Sequence, residues 1–317
     1  MSVTFDPFAP GFQADPYPQW TALREQDPVH ETPFGLWLLT RYDDVARFVR
    51  EPGLSAEEGR ARPNPVFEAV RVMAGIDPQA ERPGSKAMLN RDAPDHTRLR
   101  RLVSKAFTPK RIEELRPRVQ QLVDSALDDM AAQGGGDLIG GLAFPLPFLV
   151  ISEMLGMPDT DRVQLREWSG TLVRALEPIA DPEVLKAVAS ASDNMRALIR
   201  DVIEWKRKEP AADLLTALIQ AEENGDVLDD DELVEQVILI YVAGHETTVN
   251  LIGNGTLALL RHPDQLQRLA ADPSLITTAV EEMLRFDPPV QLTRRITLAD
   301  VEVGGRTVPE GSFVGLI

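Results

Sequence analysis

Residues 229–262 read DDDELVEQVILIYVAGHETTVNLIGNGTLALLRH and predict one long helix. Asp229 is placed to cap the first free backbone N–H groups, and Glu232 follows three residues later, as in a capping box. His262-Pro263 predicts the end of the helix, because the residue before a proline avoids helical geometry. About 30 residues at roughly 1.5 Å each give a helix about 45 Å long. A helix of that length crosses a whole domain, so the rest of the fold must pack around it.

The middle of this helix combines an apolar stretch with a polar hexapeptide. From Val237 to Val242 every side chain is apolar or Tyr, which is typical of a buried helix. Residues 243–248, AGHETT, then end the apolar run well short of the roughly 20 residues that a membrane span needs. A zinc-protease helix is excluded as well, because the second histidine it would need falls on Val249.

The hexapeptide has two interpretations. At 100° per residue Ala243, Gly244 and both threonines share a face, with Glu246 beside it and His245 roughly opposite Thr247. Small side chains let a flat ligand approach the backbone, Thr247 can donate to the Ala243 carbonyl, and a carboxylate beside a hydroxyl can deliver protons. The alternative is a tight helix crossing at the glycine, with Glu246 paired to an arginine elsewhere.

Composition limits the class of protein. The 317 residues carry 50 Asp plus Glu against 33 Lys plus Arg, a formal charge of −17 that argues against nucleic acid as the main partner. The N-terminal sequence has no signal peptide and no transmembrane segment is expected, which predicts a cytoplasmic protein that does not bind membranes. There is no cysteine, so these residues supply no disulfide, cysteine nucleophile or thiolate ligand.

Upstream of the long helix, the pattern predicts mostly helices. Residues 29–40 predict a hairpin, and the proline- and glycine-rich residues 52–92 predict a long surface loop with little regular structure. Asp95 is expected to cap a helix, and a second helix is expected from Lys110 to Ala132. Residues 98–118 hold eight cations and two acids, which predicts either solvated helix surface or a face for an acidic partner.

Downstream, the periodicity changes from helix to strand. Glu282 and Arg285 lie three residues apart on a predicted helix and can pair. Residues 301–308 then predict a hairpin with a two-residue Gly-Gly turn, and residues 312–317 begin an apolar strand. An apolar end at Ile317 without a polar tail leads us to expect a chain that is cut short.

The order DHTRLR, AGHETT, EExLR and then strands resembles the bacterial soluble cytochromes P-450, the heme-thiolate monooxygenases. The resemblance covers essentially all 317 residues and implies a single domain over 1–317, mainly α (α+β), with a long central helix and a small β region. It also implies a heme b cofactor and a lipophilic small-molecule substrate. One atom of O2 would be inserted with electrons from NAD(P)H, relayed by an acidic ferredoxin that docks on the basic 98–118 face.

The same resemblance implies roles for individual residues. Thr247 and Glu246 would deliver protons, and Glu282 with Arg285 would be the structural ExxR pair. The residues implied to lie against the heme or its propionates are His96, Arg100, Ala243, Gly244, Thr248 and Arg295. Residues 52–92 would recognise substrate and residues 168–190 would form an access lid.

One feature of the family is missing. Its iron is held by a cysteine thiolate near the C-terminus, and the 317 residues contain neither that cysteine nor its glycine-rich loop. We therefore expect an inactive fragment of a monooxygenase. The alternative is a heme-free, P-450-like auxiliary protein that stabilises a partner enzyme such as a glycosyltransferase.

Overall fold

The computed structural model divides by packing into two compact units. The first unit comprises Met1–Glu81, Leu89–Ala93 and Gln291–Ile317, and the second comprises Arg82–Met88 and Pro94–Val290. The residues that the structure describes are 3, 5–12, 14–77, 80, 82–158, 162–176, 181–223 and 225–317. Each unit is described by itself, and the expected single domain stays a prediction. Part of the expected lid, residues 177–180, lies outside the described residues.

Helices dominate the chain, as the sequence predicts. In chain order they are α1 (Tyr17–Gln26), α2 (Tyr42–Phe48), α3 (Pro65–Met73), α4 (Asp95–Ala106), α5 (Pro109–Glu113), α6 (Arg116–Ala132), α7 (Pro145–Leu155), α8 (Arg162–Val173), α9 (Pro182–Lys208), α10 (Leu214–Ile219), α11 (Asp230–Arg261), α12 (Pro263–Ala271) and α13 (Ile276–Phe286). A π-helical turn, Ile139–Ala143, precedes α7. Within the described ranges, no helix is both long and apolar enough to cross a membrane.

The strands are short. They are β1 (Val29–Glu31), β2 (Leu36–Leu39), β3 (Leu54–Ser55), β4 (Glu222–Glu223), β5 (Asp226–Val227), β6 (Thr293–Thr297), β7 (Val301–Val303), β8 (Arg306–Val308) and β9 (Phe313–Leu316). This small β content beside many helices confirms the predicted mainly α fold.

The central helix α11 has the ends that its sequence predicts. The Asp229 side chain accepts from the backbone N–H of Glu232 at 2.7 Å, and the Glu232 carboxylate accepts from the N–H of Asp229 at 3.0 Å. At the other end His262 is the C-cap, directly before Pro263. Both signals are local in sequence, so no tertiary contact is needed to set the ends of this 32-residue helix.

The first unit contains a five-stranded sheet in the order β1-β2-β9-β6-β3. The predicted hairpin pairs β1 with β2, Val29 opposite Leu39. Strand β9 then joins β2 in parallel, with Leu36 opposite Phe313, and pairs with β6 on its other edge. The second predicted hairpin, β7 with β8, is confirmed. The apolar cluster of this unit is Val29, Trp37, Leu39, Phe48, Val301, Val303, Val308, Val314 and Leu316.

The core of the second unit surrounds α11. It is formed by apolar side chains of α4, α7, α8, α9 and α10 packed on the N-terminal half of α11. Tyr241 is the largest fully buried side chain, and its hydroxyl lies 2.6 Å from Ser152 Oγ of α7. A buried hydroxyl needs a partner, so this bond helps to set α7 against α11.

Three local predictions were wrong. Residues 52–92 contain the nine-residue α3, whose N-cap Asn64 accepts from the N–H groups of Val66 and Phe67. Asn64-Pro65 is a helix start signal that outweighs the surrounding turn residues. Asp95 is the first helical residue of α4 and not its cap, because the N-cap is Pro94. The helix expected over 110–132 is interrupted between α5 and α6, since Pro117 cannot donate to the preceding turn.

Candidate functional site

The AGHETT segment presents one open and one buried side. Ala243 and Thr248 are exposed and Thr247 is half-buried, whereas His245 is fully buried, on the opposite side of the helix. Thr247 Oγ1 donates to the Ala243 carbonyl at 2.7 Å, as predicted, and Thr248 Oγ1 donates to the Gly244 carbonyl at 3.0 Å. Each hydroxyl proton is thus directed to the backbone, and the Thr247 oxygen is left able to accept a hydrogen bond from a ligand.

Glu246 lies beside the open side without a cation. Asn250, one turn further on, is its hydrogen-bond partner among the described residues, with 3.5 Å between Nδ2 and Oε1. That distance is at the limit for a hydrogen bond. The arginine partner of the alternative interpretation is therefore absent from the described part of the chain, and the Glu246 carboxylate can exchange hydrogen bonds with water or a ligand.

Gly244 has a packing reason of its own. A Cβ at Gly244 would lie 2.7 Å from Cδ1 of Ile151, so α7 approaches α11 closely at that position. The tight helix crossing of the alternative interpretation is thus present at this glycine. Cβ atoms at Gly253 and Gly255 would likewise lie 2.9 Å from Ile139 Cδ1 and 2.6 Å from Met283 Sδ. The expected contact of Gly244 with a cofactor stays a prediction. On the open side, the small residue is Ala243.

The buried side is fixed by aromatic contacts. The His245 ring packs edge-on against Phe144 and Phe148, with centroids 4.4 and 5.7 Å away. Burial lowers the pKa of His245, although the Glu246 carboxylate favours the protonated ring. A neutral imidazole in this position fixes the rotation of α11, and so keeps Ala243 and Thr247 on the open side.

His96 and Arg100 lie one turn apart on α4 of the second unit. His96 is half-buried and Arg100 is exposed, and no hydrogen bond or ion pair engages either side chain among the described residues. Both can donate to a single anion. Arg295 lies on β6 of the first unit, where Nη1 donates to the carbonyl of Arg294 at 2.7 Å. The remaining N–H groups of its guanidinium can bind an anion.

Glu282 and Arg285 form the predicted pair on α13. Two parallel bonds join them, Arg285 Nη2 to Glu282 Oε1 at 2.6 Å and Nε to Oε2 at 2.7 Å. The Arg285 guanidinium lowers the pKa of Glu282, first through this hydrogen bonding. Both side chains are more than half exposed, at 66% and 60%, so the pair leaves its other polar atoms open to further contacts.

The basic 98–118 face is less positive than its sequence indicates. Arg98 pairs with Glu232 and Asp226, and Arg118 donates to both carboxylate oxygens of Glu153 at 2.7 and 2.8 Å. Arg116 pairs with Glu113. Three of these acids come from elements far along the chain, which the local sequence does not reveal.

Two polar residues on the same helical face as Ala243 were not predicted from the sequence. Asn250 is four residues from Glu246, a spacing that places them on one face and was available in the sequence. Gln236 lies seven residues before Ala243 and is fully buried. Its position directly before the apolar run Val237 to Val242 was the available signal.

Comparison with known proteins identifies the family. The family model described as Cytochrome P450 matches residues 151–274. Cytochrome P450 107B1 of Saccharopolyspora erythraea is 44% identical over 97% of this chain and 75% of its own length. The chain belongs to the cytochrome P450 family. Cytochrome P450 monooxygenase PikC of Streptomyces venezuelae is 40% identical over 96% of this chain and 70% of its own length.

Solved cytochrome P450 structures share the fold. The Bacillus subtilis bacillaene polyketide synthase cytochrome P450 PksS superposes with a TM-score of 0.86 at 35% identity, covering 99% of this chain and 77% of that one. P450BioI, in complex with an acyl carrier protein, gives 0.85 at 31% identity, covering 96% and 77%. The cytochrome P450 family consists of heme-dependent monooxygenases with small-molecule substrates, and this chain is one of its bacterial members.

The residues present fit a heme on one of its two sides. In the second unit, Ala243 and Thr247 offer a face with little bulk, and His96 and Arg100 offer donors for carboxylates. In the first unit, Arg295 offers further donors of the same kind. The 317 residues contain no cysteine, so none of them supplies the axial thiolate of the family. Ala243 and Thr247 would therefore suit one face of a heme, and the binding of a heme by these residues stays a prediction.

Proposed function

We propose that this chain provides the distal half of a cytochrome P450 site that binds heme b and oxidises a lipophilic small molecule. The observation that carries the proposal is the open side of α11, where Ala243 gives room, Thr247 offers a hydroxyl oxygen and Glu246 has no cation partner among the described residues. When bound, the heme supplies the redox chemistry that activates O2. The protein's own part is to bind, to orient and to supply protons.

Thr247 and Glu246 are the proposed proton-delivery residues. While Thr247 Oγ1 donates to the Ala243 carbonyl, its oxygen can accept a hydrogen bond, and rotation away from that carbonyl turns it into a donor. Glu246 is half-buried and weakly held by Asn250, so its carboxyl group can turn between the solvent side and the threonine. A proton would pass from water to Glu246 and then to the Thr247 hydroxyl.

His96, Arg100 and Arg295 are the proposed partners of the heme propionates. A charged hydrogen bond to a carboxylate is about twice as strong as a neutral one. Thr248 and Gly244 complete the wall by their position next to Ala243. Glu282 and Arg285 are proposed to act structurally.

Two electrons would come from NAD(P)H through an acidic ferredoxin that docks on the 98–118 face. Ion pairs within this chain engage several cations of that face, but Arg100 is unengaged among the described residues.

Hemin titration tests the anion donors. We expect the chain to bind hemin, and replacement of both His96 and Arg100 by Ala to weaken binding by about tenfold. His262→Ala is the matched control, because this histidine is exposed and lies at the far end of α11. Equal affinity of the double variant and the unmodified chain would exclude His96 and Arg100 as propionate partners.

A second experiment tests the expected fragment status. The coding sequence after Ile317 is expected to continue in frame to a cysteine in a glycine-rich loop. The extended protein should then show the thiolate-type carbon monoxide difference band, and the 317-residue chain with hemin should not. A stop codon directly after Ile317 would contradict this expectation.

The absence of cysteine also supports the alternative function, a heme-free auxiliary protein that stabilises a glycosyltransferase. Co-expression tests it. A stable complex in which the partner gains activity, formed equally well by Thr247→Ala, would favour the auxiliary role over the monooxygenase.

A further inference from the structure

Gln236 uses every polar atom of its side chain to hold another segment against α11. Its Oε1 accepts from the backbone N–H of Met88 at 3.0 Å, and its Nε2 donates to the carbonyls of Lys86 at 3.1 Å and Glu232 at 3.2 Å. The side chain is fully buried. When both donors and the acceptor of a buried carboxamide are engaged, they fix the position of the bonded segment, because any shift of that segment leaves polar atoms unpaired.

Further contacts hold the same segment, residues 86–88. Lys86 Nζ lies 2.8 Å from an Asp231 carboxylate oxygen, and both groups are partly exposed, so this ion pair adds little. Ala87 is buried and Met88 is half-buried against the apolar core of the second unit. Gln236 therefore provides the main polar attachment of residues 86–88.

The attachment lies on the open side of α11. Gln236 and Ala243 are seven residues apart, which is two turns, about 10 Å along the axis and within about 20° around it. A ligand that lies in front of Ala243 and Thr247 and extends toward the N-terminal half of α11 must meet residues 86–88. The apolar Met88 suits a lipophilic ligand.

We propose that Gln236 is a positioning residue for substrate selection, which fixes residues 86–88 as the wall that bounds a lipophilic substrate on the open side of α11. The role rests on the proposed function, since it requires a substrate in front of Thr247. Gln236 acts through the segment it holds, and Met88 is the residue that contacts the substrate.

Hydrogen–deuterium exchange of the Met88 amide tests the attachment without heme. Gln236→Leu removes the acceptor, so the Met88 amide should exchange at least about fivefold faster. Gln236→Glu keeps an acceptor for that amide but loses the donor to the Lys86 carbonyl, so the exchange should rise less than in Gln236→Leu. Gln164→Leu, at an exposed position of α8, is the control for the leucine substitution. Unchanged Met88 exchange in Gln236→Leu, with the melting temperature retained, would overturn the attachment.

Calorimetric titration with myristic acid tests the wall. Met88→Ala should weaken binding of this probe by about threefold to tenfold, because it removes apolar contact area. Met73→Ala is the control, since Met73 is a methionine that is exposed in the first unit. The proposed substrate contact of Met88 is overturned if Met88→Ala and the unmodified chain bind the probe equally well. It is also overturned if the unmodified chain does not bind the probe. The hemin titration separately decides the proposed function.

Discussion

The imidazole of His245 meets the ring of Phe144 edge-on, with 4.4 Å between the centroids and 86° between the planes. Neither ring nitrogen makes a hydrogen bond of normal geometry in the described part of the chain, although the Phe144 backbone lies close enough to favour the protonated ring. The ring is fully buried on the side of α11 opposite Ala243. An apolar ring of similar shape would therefore fill this position without the cost of the unpaired nitrogens.

The first prediction is that His245→Phe stabilises the protein and makes its free energy of unfolding less dependent on pH under acidic conditions. Burial lowers the pKa of His245 below 6.5, with Arg166 acting in the same direction and Glu246 opposing. Since the unfolded chain then binds the proton more tightly, the histidine costs stability as the pH falls below about 6.5. At pH 7.5 the variant should gain about 1 kcal/mol. At pH 5.5 the gain should be larger.

Urea unfolding at both pH values measures this difference. The control is His262→Gln, at the exposed end of α11, which should leave the slope of stability against pH close to that of the unmodified chain. A His245→Phe variant with an unchanged pH slope would contradict the assignment of a neutral buried imidazole.

The second prediction concerns the buried ion pair of Lys206 and Asp213. Their side chains are 4% and 9% exposed, and Asp213 also caps α10 by accepting from Thr216 N–H at 2.8 Å. Lys206→Met would leave the carboxylate buried without its cation, so a loss of about 3–5 kcal/mol is expected. Chemical denaturation measures it. Arg285→Met removes an equivalent but exposed pair and should cost far less.

A double variant separates pairing from simple packing. If Lys206→Met acts by leaving the Asp213 carboxylate without a cation, adding Asp213→Asn should recover part of the lost stability, because a neutral amide can still cap α10. Additive losses from the two substitutions would argue that the pair is not coupled.

The third prediction compares two glycines. Gly156 ends α7 in the left-handed region, with φ of 67°, and a Cβ there would collide with the Lys206–Asp213 pair. Gly156→Ala should therefore destabilise by more than about 1 kcal/mol. Gly170 lies inside α8, exposed, with nothing near its Cβ position. Gly170→Ala should stabilise by about 1 kcal/mol, since alanine is the better helix former. Thermal unfolding of both variants checks the opposite signs.

The sequence predicts what depends on local chemistry. The capping box of Asp229 and Glu232, the stop at His262 and the Gly-Gly hairpin at 304–305 all involve residues within a few positions of one another. The parallel pairing of β2 with β9 joins residues almost 280 positions apart, and no local pattern encodes it. One failure came from competing local signals, at Asn64-Pro65, where a strong helix start stands among turn residues.

The site was predictable in residue type but not in environment. Helical spacing alone places Ala243 and Thr247 on one face and His245 on the other, as the structure has them. The close approach of Ile151 to Gly244 and the pairing of Arg98 with Glu232 depend on tertiary packing. For that reason the sequence overstates the free charge of the 98–118 face.

The last prediction concerns the Thr247 hydroxyl. The test uses the extended, cysteine-containing protein whose existence is proposed above. There, Thr247→Val keeps the shape of the side chain but removes the oxygen that accepts a hydrogen bond and the proton given to Ala243. Removal of that hydroxyl would break the proposed proton relay from Glu246. The variant should consume NADPH but release about tenfold more hydrogen peroxide per product formed.

Thr247→Ser is the matched control, because it retains the hydroxyl and should keep peroxide release near the original level. Thr248→Val tests whether the position of the hydroxyl matters. The Thr248 hydroxyl also donates to a backbone carbonyl, that of Gly244, but it projects about 100° away from Thr247 around the helix. Peroxide and product are quantified together against NADPH consumed. If Thr247→Val stays as tightly coupled as Thr247→Ser, the proton reaches the site without this hydroxyl. Glu246 would then act through water alone, and the 3.5 Å contact with Asn250 would become the next position to vary.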